Sequence, residues 1–187
     1  MSGKADPPPW RIALLRAVNL GPHNRISTAQ LRELMADAGL AEGRTFLQSG
    51  NLVFRDPATP ADLEARLEAG LSGKFGLATD VMVRTAETWR ALEAANPFVD
   101  RARSSPAQVV LHVLKHPARS GGVEALRAAI RGPERIEAGE GALYMDYPEG
   151  IGTSRLTTAV ITRALGVAGT ARNWNTVLAL ADMTLPP

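Results

Sequence analysis

An arginine set beside amides or hydroxyls is a side-chain group suited to phosphate or carboxylate, because the guanidinium offers a planar fork of donors. The 187-residue chain places such groups at three points, and amides with a hydroxyl but no arginine at another. Arg16 stands at the end of the apolar run "WRIALLRAV", with Asn19 and then Arg25 in the loop behind it. A charge in an apolar run must reach an acid, the solvent or a ligand anion, since burying it alone costs several kcal/mol. Gln48, Ser49 and Asn51 surround Gly50 at a turn. They either bond the local backbone while the glycine turns the chain, or gather donors and acceptors for a sugar, a base or a phosphodiester.

The third group is Ser154-Arg155, read as the opening of a helix over residues 153–166 capped by Thr153 or Ser154. Free N–H groups at such an end favour an anion. The fourth is Arg172-Asn173-Trp174-Asn175. Here Trp174, Val177, Leu178 and Ala181 recur at helical spacing, so the tryptophan is expected in the core with Asn173 or Thr170 as cap. Arg172 and Asn175 then flank it.

Familiar catalytic signatures are missing. The sequence contains no H-E-x-x-H, Walker A, G-x-G-x-x-G or G-x-S-x-G pattern. The absence of cysteine excludes thiolate catalysis and Cys-ligated metals. His23, His112 and His116 lack a neighbouring carboxylate motif, so neither a metal nor a cofactor is expected. Ser49 and Ser154 are the candidate nucleophiles of an enzyme, but no base is readable beside either.

The elements that must hold these groups follow from local signals. Residues 10–18 read as a buried strand, and Ser27 with Gln30 forms a capping box ahead of a helix over 28–38. "TFLQSGNLVF" reads as a hairpin, Thr59-Pro60 starts a second helix, and residues 78–84 alternate as a strand. This is the β-α-β-β-α-β order of a ferredoxin-like unit. After a helix carrying Trp89 and Leu92, residues 100–106 read as a linker. A second series then gives strand 108–115, helix 121–131, a hairpin and the helix 153–166, without a clear strand as sixth element but with an added C-terminal helix. The expected fold is α+β, with ferredoxin-like halves at 10–99 and 107–187 behind a disordered lead of residues 1–9.

Composition agrees with a globular chain able to bury a core: 45% of residues are hydrophobic and 21% charged. All but three of the 21 basic residues are arginine, yet the net charge is only +2, too weak for a nucleic-acid-coating surface. No apolar stretch suits a signal peptide or membrane span, which makes a cytoplasmic protein with no membrane partner the expectation.

Two blocks carry a family resemblance: "IALLRAVNLGPHNRISTAQLRELMADAGLAEGRTFLQSGNLVF" and "YPEGIGTSRLTTAVITRALGVAGTARNWNTVLALADM". Together they resemble the bacterial domain of unknown function 1697 family, whose pattern joins an L-R-G strand end, a Q-S-G-N hairpin, G-x-S-[KR]-L and R-N-W-N-T. Ala17 replaces that family's glycine, and Gly21-Pro22-His23 replaces its Gly-Gly-[KR] loop, so Pro22 removes one backbone donor. The resemblance implies an α+β fold with ferredoxin-like halves and no known reaction. The chain is read first as a binding module for an anionic ligand such as nucleic acid or a nucleotide. The alternative is an enzyme acting on a phosphorylated or sugar substrate.

Overall fold

The structure is a computed structural model that describes residues 6–20 and 24–185. Residues 1–5 of the expected lead, the Gly21-Pro22-His23 loop and residues 186–187 lie outside the described residues. The chain divides into two compact units, one formed by 1–89 with 182–187 and the other by 90–181. Each is an α+β ferredoxin-like half.

The first unit runs β1 (Trp10–Leu15), α1 (Thr28–Asp37), β2 (Ala41–Phe46), β3 (Asn51–Arg55), α2 (Pro60–Phe75) and β4 (Val81–Thr85). Its antiparallel sheet has the order β2-β3-β1-β4. Local chemistry sets the helix limits. Ser27 Oγ accepts from Gln30 N at 3.1 Å while Ser27 N donates to Gln30 Oε1 at 2.8 Å, completing the capping box. Thr59 caps α2 in front of Pro60, and Gly76 ends it in the left-handed region. Leu31, Leu34 and Met35 of α1 and Leu63, Leu67 and Leu71 of α2 cover Ala13, Leu15, Leu52, Phe54, Val81 and Val83 of the sheet. Each buried leucine contributes about 1.5–3 kcal/mol through apolar burial. The same unit holds Trp10 between Arg44 and Arg55, whose guanidiniums lie 4.9 and 4.2 Å from the ring centre.

Helix α3 (Ala86–Ala94) spans the unit boundary, and α4 (Val99–Ser104) follows. The segment expected to be a linker is therefore largely helical. Arg101 of α4 explains the difference: its Nε donates to the buried Asp146 at 3.2 Å and its Nη2 to Gln108 at 2.5 Å, ties that the sequence pattern does not reveal.

The second unit continues with β5 (Val109–Leu114), α5 (Gly122–Ala129), β6 (Arg135–Gly139), β7 (Ala142–Asp146), α6 (Thr158–Leu165) and β8 (Gly169–Asn173). Its sheet order, β6-β7-β5-β8, repeats that of the first. A closing strand, the sixth element and fourth strand of this unit, is thus present, contrary to expectation, and pairs antiparallel with β5 from Val110↔Asn173 to Leu114↔Gly169. Its buried residues include Thr170 and Arg172, so no apolar alternation marks it. Helix α6 also starts later than expected. Thr157 is the cap, accepting from Val160 N, whereas Ile151–Thr153 form a 3-10 turn and Ser154 lies in extended backbone. The closing helix α7 (Trp174–Asp182) buries Trp174, Val177, Leu180 and Ala181.

Candidate functional site

In the first unit, the expected site residues are held mainly by the protein itself. Arg16 Nη1 meets Asp80 Oδ2 at 3.4 Å, and backbone N–H of Arg16 donates to the Asp80 carbonyl at 3.0 Å. The acid partner that an arginine at this position requires is thus Asp80. Asn19 is a loop staple. Its Nδ2 donates to the carbonyls of Ile26 and Gln48 at 2.9 and 2.6 Å, and its Oδ1 accepts from Ile26 N at 2.9 Å. Asn51 is buried, with Nδ2 donating to the Phe46 carbonyl and Ser49 Oγ at 2.8 and 2.9 Å. Gly50 takes φ 73°, and a Cβ there would stand 2.6 Å from Val18 Cγ2. The hairpin tip is therefore built by backbone satisfaction and close packing. Gln48 and Arg25 remain exposed on their loops.

Arg172 and Asn173 of the second unit are engaged in the same way. Arg172 is buried, and its Nη1 donates to Thr170 Oγ1 and the Ala171 carbonyl, both at 2.8 Å. Burial lowers its pKa to about 10. Asn173 Oδ1 accepts from Thr176 N at 3.0 Å, the expected cap of α7. Asn175 is exposed on the first turn.

Ser154 and Arg155 line a cavity of about 300 Å³, whereas the cavity of about 410 Å³ beside Arg16 also holds that arginine's acid partner, Asp80. Two connections form it: residues 130–134 between α5 and β6, and residues 147–157 between β7 and α6. Ser154 Oγ donates to Glu134 Oε1 and accepts from Leu156 N at 3.1 Å, which ties one connection to the other. Gly132 permits this approach, since a Cβ there would lie 2.6 Å from Glu134 Oε2. Tyr147 forms a buried wall and donates to Met145 Sδ at 3.6 Å. Burial, aided by the Glu134 charge, pushes its pKa up to about 12.

Around the same cavity stand Arg131, Glu149 and Thr153. Among the described residues, Arg131 Nη1 donates only to carbonyls, of Ala128 at 2.9 Å and Ile130 at 3.3 Å. The Arg155 carbonyl accepts from Thr157 N at 2.9 Å, but its guanidinium has no hydrogen bond or ion pair among the described residues. Two guanidiniums thus line one small cavity without a carboxylate partner among the described residues. Arg131, Glu134, Tyr147 and Glu149 were missed by sequence reasoning, because no local spacing joins Glu134 to a serine twenty positions later. The G-x-S-[KR]-L block was the available signal, and it identified only one wall.

The family described as "Protein of unknown function (DUF1697)" matches residues 10–144. The chain belongs to this family. No curated protein matches it. Among solved structures, it resembles the conserved bacterial protein SP0830 from Streptococcus pneumoniae with a TM-score of 0.76 and 18% identity, over 95% of this chain and 99% of that one. That likeness establishes the shared fold of this DUF1697 member. The family match ends before Tyr147, so the cavity's second connection lies beyond the matched residues.

Proposed function

We propose that the chain binds a small phosphate-bearing ligand, a nucleotide or sugar phosphate, in the cavity beside Ser154. The observation that carries this reading is the pair Arg131 and Arg155, which line the cavity and have no acidic partner among the described residues. Each charge-assisted hydrogen bond from them to a phosphate oxygen contributes about 1.5–3 kcal/mol. A small ligand suits the site better than a nucleic-acid strand. The net charge is only +2, and the central strands β1 and β5 are buried along their whole length, which withdraws the sheet face used by some RNA-binding folds. Phosphorylated metabolites are cytoplasmic solutes, and a cytoplasmic location goes with this reading.

Isothermal titration with adenosine monophosphate and ribose 5-phosphate tests it. Wild-type binding that weakens at least tenfold in Arg155→Ala supports the assignment. Absence of binding to both ligands at millimolar concentration removes it.

The Ser154–Glu134 hydrogen bond favours a second reading, in which Ser154 is the nucleophile of an enzyme and Glu134 its base. Hydrolysis of a phosphate ester that disappears in both Ser154→Ala and Glu134→Gln, while ligand binding persists, would select it. Unchanged turnover in either variant would reject it.

A further inference from the structure

Glu149 carries an observation that the phosphate reading leaves unused. It lines the same cavity as Arg131 and Arg155, and its exposed carboxylate has no hydrogen bond or ion pair among the described residues. Opposite charges sharing a small cavity attract one another, yet neither arginine pairs with this carboxylate. The backbone presenting it is well held. Gly150 N donates to the Tyr147 carbonyl at 2.9 Å, closing a turn, and Thr153 Oγ1 donates to the carbonyls of Glu149 and Gly150 at 2.9 and 3.0 Å.

A carboxylate beside a phosphate site repels the phosphate unless the ligand brings donors for it. Paired sugar hydroxyls are such donors, and an acidic side chain receiving a ribose hydroxyl next to a phosphate site is a recurring solution in nucleotide recognition. We infer that Glu149 is a specificity-determining residue that accepts hydrogen bonds from a vicinal diol, so that the ligand is a ribose-type phosphate. This inference rests on the phosphate reading above. It adds the requirement that bare phosphate and deoxygenated analogues bind less well, because a site made for a hydroxyl leaves its acceptor unmatched when the hydroxyl is missing.

The test is calorimetric titration of wild type, Glu149→Ala and Arg155→Ala with inorganic phosphate, ribose 5-phosphate, 2-deoxyribose 5-phosphate and aminoethyl phosphate. Thermal unfolding confirms that each variant is folded. The expected wild-type result is about tenfold tighter binding of ribose 5-phosphate than of its 2-deoxy analogue, the size of one lost hydrogen bond. In Glu149→Ala the two sugars become equal, while inorganic phosphate binds as well as before or better. A ribose preference that survives in Glu149→Ala, or equal wild-type binding of the two sugars, overturns the inference and leaves the phosphate reading intact. Tighter wild-type binding of aminoethyl phosphate than of ribose 5-phosphate overturns it in favour of an ammonium partner. Should no ligand bind the wild type, or Arg155→Ala bind like wild type, the phosphate reading falls and the inference with it.

Discussion

The two units run the same six elements in the same sheet order, yet they differ at the corner where the third strand leads into the second helix. In the first unit, the four residues 56–59 make this connection, and in the second the eleven residues 147–157 make it. The short corner is filled: Arg66 Nη1 donates to Asp56 Oδ2 at 2.9 Å and to the Ala38 carbonyl at 3.3 Å, and Arg11 Nη2 reaches the Ala58 carbonyl at 3.1 Å. Around the long corner, Arg131 and Arg155 meet no carboxylate among the described residues. The added length supplies a wall, a turn and a 3-10 segment without disturbing the sheet. The same corner thus serves as a closed support in one copy and as part of the frame of a cavity in the other.

Four measurements would sharpen or break that contrast. The largest effect is expected at the filled corner. Asp56→Ala strands Arg66 and the Ala58 N–H that Asp56 accepts at 2.8 Å, and should cost about 2–3 kcal/mol in chemical denaturation without altering ligand affinity. A loss below about 0.5 kcal/mol would mean that this corner is not a closed support.

The next concerns Tyr147. Its folded pKa of about 12 lies above the ordinary value of 10, so the unfolded chain loses the proton first as pH rises. Its contribution is fully present below pH 10 and disappears as pH rises toward 12, a decline on the order of 2 kcal/mol. Arg172, with its lowered pKa, acts in the opposite direction over the alkaline range, so the measurement needed is the difference between wild type and Tyr147→Phe. Equal alkaline profiles would show that the cavity wall is wetter than its burial indicates.

A smaller effect on stability is expected at the cavity mouth. Arg155→Ala should shift unfolding by no more than about 0.5 kcal/mol, as for an exposed side chain without partners, while its influence appears in ligand binding. A larger loss of stability would make Arg155 a structural residue like Arg16. The smallest effect is at Ala17, which occupies φ 50°, a region where glycine is at ease. Relief of strain and the greater freedom of unfolded glycine oppose one another, so Ala17→Gly should change stability by less than about 1 kcal/mol in thermal melts.

The parts of this fold legible in the sequence were those written in neighbouring residues. Ser27 with Gln30 announced α1, Thr59-Pro60 announced α2, and Gly50 announced the hairpin. What escaped depends on distant partners. Strand β8 hides because Thr170 and Arg172 occupy its buried positions, and the start of α6 was misjudged because Ser154 is drawn to Glu134 while Thr157 caps the helix. The site divides along the same line. Arginines beside amides and hydroxyls were visible, but whether each faces its own backbone or an open cavity is decided by pairs such as Asn19–Gln48 and Ser154–Glu134.

The Arg44–Trp10–Arg55 stack also makes the chain optically informative. All three tryptophans are buried, with Trp10 and Trp89 in the first unit and Trp174 alone in the second. Replacing Trp10 and Trp89 with phenylalanine would leave an emission signal that follows the second unit by itself. The melting of that half could then be set beside the unfolding of the whole chain without any added label.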